Sequence, residues 1–324
     1  MRLLMPLMIV AVVMTTSGCS LPNINLFPEA GPLKEVTLEG SGEEKILVLS
    51  IQGTISDRPK EKLLRTQPSM VQEVISQLKR AEKDPQIKAV LMKVNSPGGT
   101  VTASDILYHE IRSYKERSGV KLVVAMMNMA ASGGYYLSLP ADWIMAHPTT
   151  ITGSIGVIFS RPSISGFMEK LGLALHVSKS GELKDMGSPF RDPTETDEAI
   201  FQSLTDQMAE RFIDLVLKHR TISADQQQRI VTARVFLAKE AQQVGLIDQI
   251  GYLTDAVEKA KSLANLSPDA KVVTYRRYET EDDNIYNPAI RQLDTVNINS
   301  SALGNLSAVQ EAGFYYIWPA AMGQ

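Results

Sequence analysis

Ser132 lies in "MAASGGYYLS" (129–138), between two alanines and two glycines, directly after the apolar run "KLVVAMM" and ahead of a short stretch that reads as a helix start. Branched side chains beside a nucleophilic serine block the approach of a carbonyl carbon and hold backbone amides away from a developing oxyanion. Alanine and glycine do neither. A serine between a strand and a helix start also sits near free N–H groups and the positive end of a helix dipole. Each well-aimed donor is worth about 3 kcal/mol to a tetrahedral intermediate. The same small residues equally suit close packing of a helix on a sheet. Two other stretches share this character: "NSPGG" (95–99) ends an apolar run on two glycines whose amides could face outward, and "TGSIGV" (152–157) is another small-residue turn.

A serine nucleophile needs a base. His109 and His219 fall in amphipathic helical segments among charged neighbours and read as solvated; His147 and His176 lie in or at the ends of apolar runs and read as structural. No Ser, His and Asp arrangement of familiar spacing emerges. Lysine is the alternative, and as a base it must lose its proton, which requires desolvation to bring it from about 10.4 to about 7 or 8. Lys184 in "SGELKDMGSPF" is flanked by Leu183, Met186 and Phe190, in a loop bracketed by Gly and Pro that could be pressed into an apolar site. Most lysines are simply solvated.

These residues need a scaffold to hold them. "KILVLSIQG" (45–53), "IKAVLMKVN" (87–95), "KLVVAMM" (121–127) and "WIMAHP" (143–148) are strand signals, separated by helical patterns over 69–83, 101–115 and 131–138. This alternation predicts an α/β fold with a parallel or mixed sheet covered by helices. Ile200, Leu204, Met208, Phe212 and Leu215 recur every three to four residues, which predicts a helix over 194–220. Ser223 reads as an N-cap, and a turn, an amphipathic helix and a strand "KVVTYRR" follow. The domains expected are a signal peptide (1–18), a tether (19–44), a single catalytic domain (45–278) and a tail (279–324). The tail is expected to begin disordered and to end in an aromatic segment, "GFYYIWPAAMGQ", that docks on a partner.

The chain has 324 residues, 44% of them hydrophobic, enough to bury a sizeable core, and its net charge of −3 offers no basic field for nucleic acid. "MRLLMPLMIVAVVMTTSGCS" carries one early Arg and an apolar stretch from Leu3 to Met14, the pattern of a secretory signal and too short for a spanning helix. Cys19, the only cysteine, resembles the lipidated cysteine of bacterial lipoproteins, with Thr16 standing where such signals usually carry Leu; the plainer reading is a signal peptide that contains a Cys. An internal disulfide is impossible. The expectation is a lipid-anchored protein facing outside the cytoplasm, with Ser20 favouring the outer membrane where the cell has one.

"NSPGG", "MAASGGYYLSLPAD", "TGSIGV", "GELKDMGSPFR" and "ARVFLAKEAQQVGLIDQIG", in this order from about Lys45 to Tyr275, resemble the signal peptide peptidase A family of serine peptidases, relatives of the ClpP/crotonase fold. The resemblance implies a Ser/Lys dyad with Ser132 as nucleophile, Lys184 as base and Ser154 orienting the amine. It also implies oxyanion donors at Gly99 and Gly133, with Gly98 shaping the turn. Further implications are a homo-oligomeric ring whose adjacent subunits supply the Ser and Lys of one site, substrates that are signal peptide remnants or other unfolded apolar segments, and no metal or organic cofactor. "ARVFLAKEA" is looser than the family's pattern, although Arg234 remains. Two readings of other classes stay beside this one: a crotonase-like acyl-CoA enzyme, and a catalytically silent scaffold.

Overall fold

A computed structural model describes residues 31–62, 65–277, 283–287 and 312–321. The expected signal peptide, Cys19 and most of the first half of the tail lie outside the described residues.

The main sheet is built from the apolar runs. β1 (Lys34–Glu39), β2 (Lys45–Gln52), β5 (Ile87–Ser96), β7 (Lys121–Ala131), β8 (Trp143–Ala146), β12 (Gln249–Ile250) and β13 (Lys271–Arg276) lie in the order β1-β13-β2-β5-β7-β8-β12; a short hairpin of β3 (Lys60–Lys62) and β4 (Arg65–Gln67) stands apart. All neighbours from β13 to β12 are parallel, and β1 closes the edge antiparallel to β13. β2, β5 and β7 read as near-continuous apolar runs because a parallel sheet is covered on both faces. One face carries α1 (Met70–Ala81) and α2 (Val101–Ser118), and the other is covered by α8 (Leu253–Leu263). Ser69 caps α1 in a reciprocal box with Gln72, and Thr100 caps α2. Thr194 and Ser223 do the same for α5 (Glu195–His219) and α6 (Ala224–Ile230).

At its carboxyl end β7 changes partners. Val123–Met126 pair with β8, whereas Met129–Ala131 pair with β9 (Ile151–Gly153), which in turn pairs with β11 (Val235–Leu237), the strand before α7 (Ala238–Gln243). The chain therefore leaves the sheet at a fork, with α3 (Gly133–Tyr136) starting just after it. A second, three-stranded sheet of β6 (Gly98–Thr100), β14 (Gly313–Ile317) and β10 (Ile158–Ser160) lies beside this fork, with β14 central and antiparallel to both neighbours.

Two expectations need correction. The tether ends earlier than 44, because Lys34–Glu39 form β1 against β13; the pairing partner lies more than 230 positions away and leaves no local mark. The aromatic end of the tail docks on this chain itself, as β14. Between α4 (Ser165–Lys170) and α5 the chain is irregular and largely exposed.

Candidate active site

Ala131 and Gly153 are paired at the ends of two parallel strands, so Ser132 and Ser154 leave the sheet side by side. Each has φ +51°. The Ser132 amide donates to the Gly153 carbonyl at 2.7 Å, and the Ser154 amide to the Arg234 carbonyl at 2.8 Å. At Ser132 ψ is −115°, which with the positive φ is a conformation that costs an L residue about 1–3 kcal/mol. The residue is fully buried, yet its Oγ has no hydrogen-bond partner among the described residues. An unsatisfied buried hydroxyl costs about another 1–3 kcal/mol. Backbone strain and an orphaned hydroxyl on one residue are the marks of a side chain held ready for chemistry, as on the sharp strand-to-helix turns that present nucleophilic serines.

The glycines around it have separate duties. The Gly98 amide is consumed by Ser96 Oγ (3.1 Å), whose own hydrogen goes to the Gly53 carbonyl (2.7 Å). That leaves Gly98, with φ +102°, to turn the chain. β6 is clamped on one side by Ile55, which donates to the Gly98 carbonyl and accepts from the Thr100 amide. The Gly99 amide therefore faces the other side. The Gly133 amide opens α3 and has no intrahelical acceptor. A Cβ at Gly98 would lie 2.8 Å from the Gly133 nitrogen, so the two turns touch. A Cβ at Gly133 would strike the Ser104 hydroxyl, and one at Gly134 would lie 2.8 Å from the Ser96 carbonyl oxygen. "SGG" thus answers to both readings of the sequence, close packing and access. With four residues, α3 adds little dipole; the donors that matter are individual amides.

β14 occupies the groove between β6 and β10. Tyr316 pairs with Gly99 and Ile317 with Gly98, and the Trp318 amide donates to the Pro97 carbonyl at 2.9 Å. Exchange pairs recur every second residue of an antiparallel ladder, which aims the Gly99 amide at the Tyr316 carbonyl. A Cβ at Gly133 would lie 3.1 Å from that same carbonyl oxygen. The two glycines singled out in the sequence as oxyanion donors thus flank one main-chain carbonyl of an extended segment. The Tyr316 side chain is fully buried, stacked on Tyr136 (5.0 Å between ring centroids) and tilted against Phe212 (4.9 Å), and its hydroxyl donates to the Met208 carbonyl at 2.9 Å. Burial pushes the Tyr316 and Tyr136 phenols above their ordinary range, and Asp105 beside Tyr136 adds to its rise, so both stay neutral. Sequence reasoning missed this pocket. Its one signal was alternation in "FYYIW", which puts Phe314 and Tyr316 on one face of a strand.

Lys184 is not brought to Ser132 within this chain. It is exposed, on a turn where its amide donates to the Gly181 carbonyl, while the Ser132 hydroxyl is enclosed and unpartnered. The neighbouring acids are engaged elsewhere: Asp185 pairs with Lys179 and Arg191, which hold its carboxyl down at about 2, and Asp197 pairs with Arg191. Among the histidines, His219 corrects its sequence reading. It is half-buried with a ring nitrogen 2.8 Å from the Tyr108 hydroxyl, and burial, followed by Lys218 and other nearby cations, lowers its pKa. His109 and His176 are exposed, and His147 bonds Thr149.

Ser132 thus sits buried and unpartnered on a strained turn that opens α3, and the sheet that carries it is of the ClpP/crotonase type. A Clp protease family model matches residues 64–150, and one for peptidase family S49 matches residues 114–267. A protein of Enterococcus faecium provisionally named signal peptide peptidase SppA is 36% identical over 89% of this chain and 79% of its own length. Protease 4 of Haemophilus influenzae is 34% identical over 74% of this chain, which spans 38% of that larger protein. The chloroplastic serine protease SPPA of Arabidopsis thaliana is 30% identical over 78% of this chain and 37% of its own length. The chain belongs to peptidase family S49 and is a serine protease.

Proposed function

We propose that the protein is a membrane-tethered, extracytoplasmic endopeptidase that degrades signal peptide remnants and other unfolded apolar segments through an acyl-enzyme on Ser132. Lys184 of an adjacent copy, neutral once buried in the assembly, takes the Ser132 proton as Oγ attacks the peptide carbonyl and returns it to the leaving amine. Ser154, beside Ser132 at the sheet fork, orients that amine. The Gly99 and Gly133 amides receive the oxyanion, and water activated by the same lysine releases the acyl group. Substrate takes the place of β14, which must leave its course between β6 and β10, and is held extended there by main-chain pairing.

The observation that carries this reading is the unpartnered, buried Ser132 hydroxyl on its strained turn beside the two glycine amides. Assembly is supported by the segment around Lys184, where Ile164, Phe167, Leu171, Leu173, Leu175 and Val177 are all at least 40% exposed. So large an apolar surface on one segment supports burial of this segment against another copy. The anchor rests on Cys19 and its signal-like leader; no helix among the described residues is long and apolar enough to cross a membrane.

A fluorophosphonate probe applied to the assembled protein tests the nucleophile. Labelling on Ser132, lost in Ser132→Ala, is expected; labelling of another serine, or none in the assembled protein, removes Ser132 as the nucleophile.

A further inference from the structure

The position of Tyr316 carries more than a mode of binding. Its carbonyl is the one flanked by Gly99 and Gly133, so its side chain marks the pocket for the residue on the acyl side of the cut. That pocket is defined by Tyr136, Phe212 and the carbonyl of Met208, the last two on one face of α5. Tyr136 cannot serve as the polar contact for an incoming side chain, because its own hydroxyl donates to Asp105 (2.6 Å), which Arg211 also engages. The Met208 carbonyl is then the acceptor at the pocket's end, placed where a phenol hydroxyl reaches and an aliphatic side chain does not.

We propose that this pocket selects tyrosine, so that the enzyme cuts extended apolar segments by preference on the carboxyl side of a tyrosine. The inference rests on Ser132 being the nucleophile. In the step itself, Ser132 Oγ bonds to the tyrosyl carbonyl carbon, the C–N bond breaks, the serine proton passes by way of the base to the leaving amine, and water then frees the tyrosyl carboxylate. Phenylalanine would fill the aromatic slot and leave the Met208 carbonyl without its second hydrogen bond. Leucine would leave the far end empty, and alanine nearly all of it.

The test uses the full-length assembled protein and a series of apolar peptides identical except at one central residue, Tyr, Phe, Leu or Ala, with Ser132→Ala as control. Loss of one hydrogen bond at a helical carbonyl predicts kcat/KM about tenfold higher for Tyr than for Phe. Loss of a buried aromatic side chain predicts about ten- to a hundredfold between Phe and Ala. Mass spectrometry of the products is expected to find the new carboxyl terminus on the tyrosine. Phe212→Leu, a mild change to the pocket wall, is expected to shrink the preference for Tyr over Leu while peptides are still cut. Equal rates across the series, or cleavage on the amino side of the tyrosine, would overturn the pocket while leaving the nucleophile standing, provided Ser132→Ala abolishes cleavage. If wild type cuts none of the peptides, the peptidase reading falls and the pocket with it.

Discussion

Replacing Ser132 by glycine and by alanine separates backbone strain from everything else the residue does. Both substitutions delete the hydroxyl, and with it the same unsatisfied oxygen. They differ in the backbone. At an ordinary site glycine is about 0.5–1 kcal/mol less stabilising than alanine because it loses more freedom on folding. At φ +51°, ψ −115° alanine keeps the strain of about 1–3 kcal/mol that glycine does not feel. The opposing effects leave glycine ahead by about 1 kcal/mol, which for a domain of this size is roughly 2–4 °C in Tm. Both variants should be scanned by calorimetry at equal protomer concentration, since assembly makes Tm concentration-dependent. An alanine variant as stable as the glycine variant, or more so, would refute the claim that the Ser132 turn stores strain.

Gly99→Ala places a Cβ against the Ile55 backbone and displaces the amide beside it, so kcat on a peptide substrate should fall about 10²–10³-fold; a fall under threefold in a folded variant would remove Gly99 from the oxyanion site. Lys93 on β5 donates to the Ile285 and Asn287 carbonyls, and burial, with Arg276 nearby, lowers it to about 8. Between about 8 and the ordinary lysine value the unfolded chain holds more protons at this residue than the folded one, so Lys93 makes stability rise with pH over that window. The difference in urea midpoint between wild type and Lys93→Met should therefore shift in favour of wild type from pH 7.5 to 9.5, and a pH-independent difference would show that Lys93 is not depressed.

The residues around Ser132 were legible because their cause is local: strand, turn and helix follow one another within a dozen positions, and only small side chains fit between Ser96, Ser104 and Gly98. The strands of the main sheet were legible for a related reason, since burial on both faces writes continuous apolar runs. That same burial hid Lys93, which sits in such a run and looks like a surface interruption. Where partners are distant in the chain, the sequence was silent. His219 meets Tyr108 across 111 positions, β1 finds β13, and β14 threads between two strands of three residues each, too short to announce themselves. Lys184 was singled out by the family resemblance and by its apolar neighbours, yet Leu183 and Phe190 beside it are exposed in this chain.

The central claim is that one copy's Ser132 is served by another copy's Lys184. Ser132→Ala and Lys184→Ala proteins, each inactive alone, should be co-assembled at equal amounts and assayed on a tyrosine-containing apolar peptide. Random placement around a closed ring puts an intact serine opposite an intact lysine at about a quarter of interfaces, so roughly a quarter of wild-type activity is predicted. A mixture as inactive as its components, in assemblies shown to contain both, would contradict it.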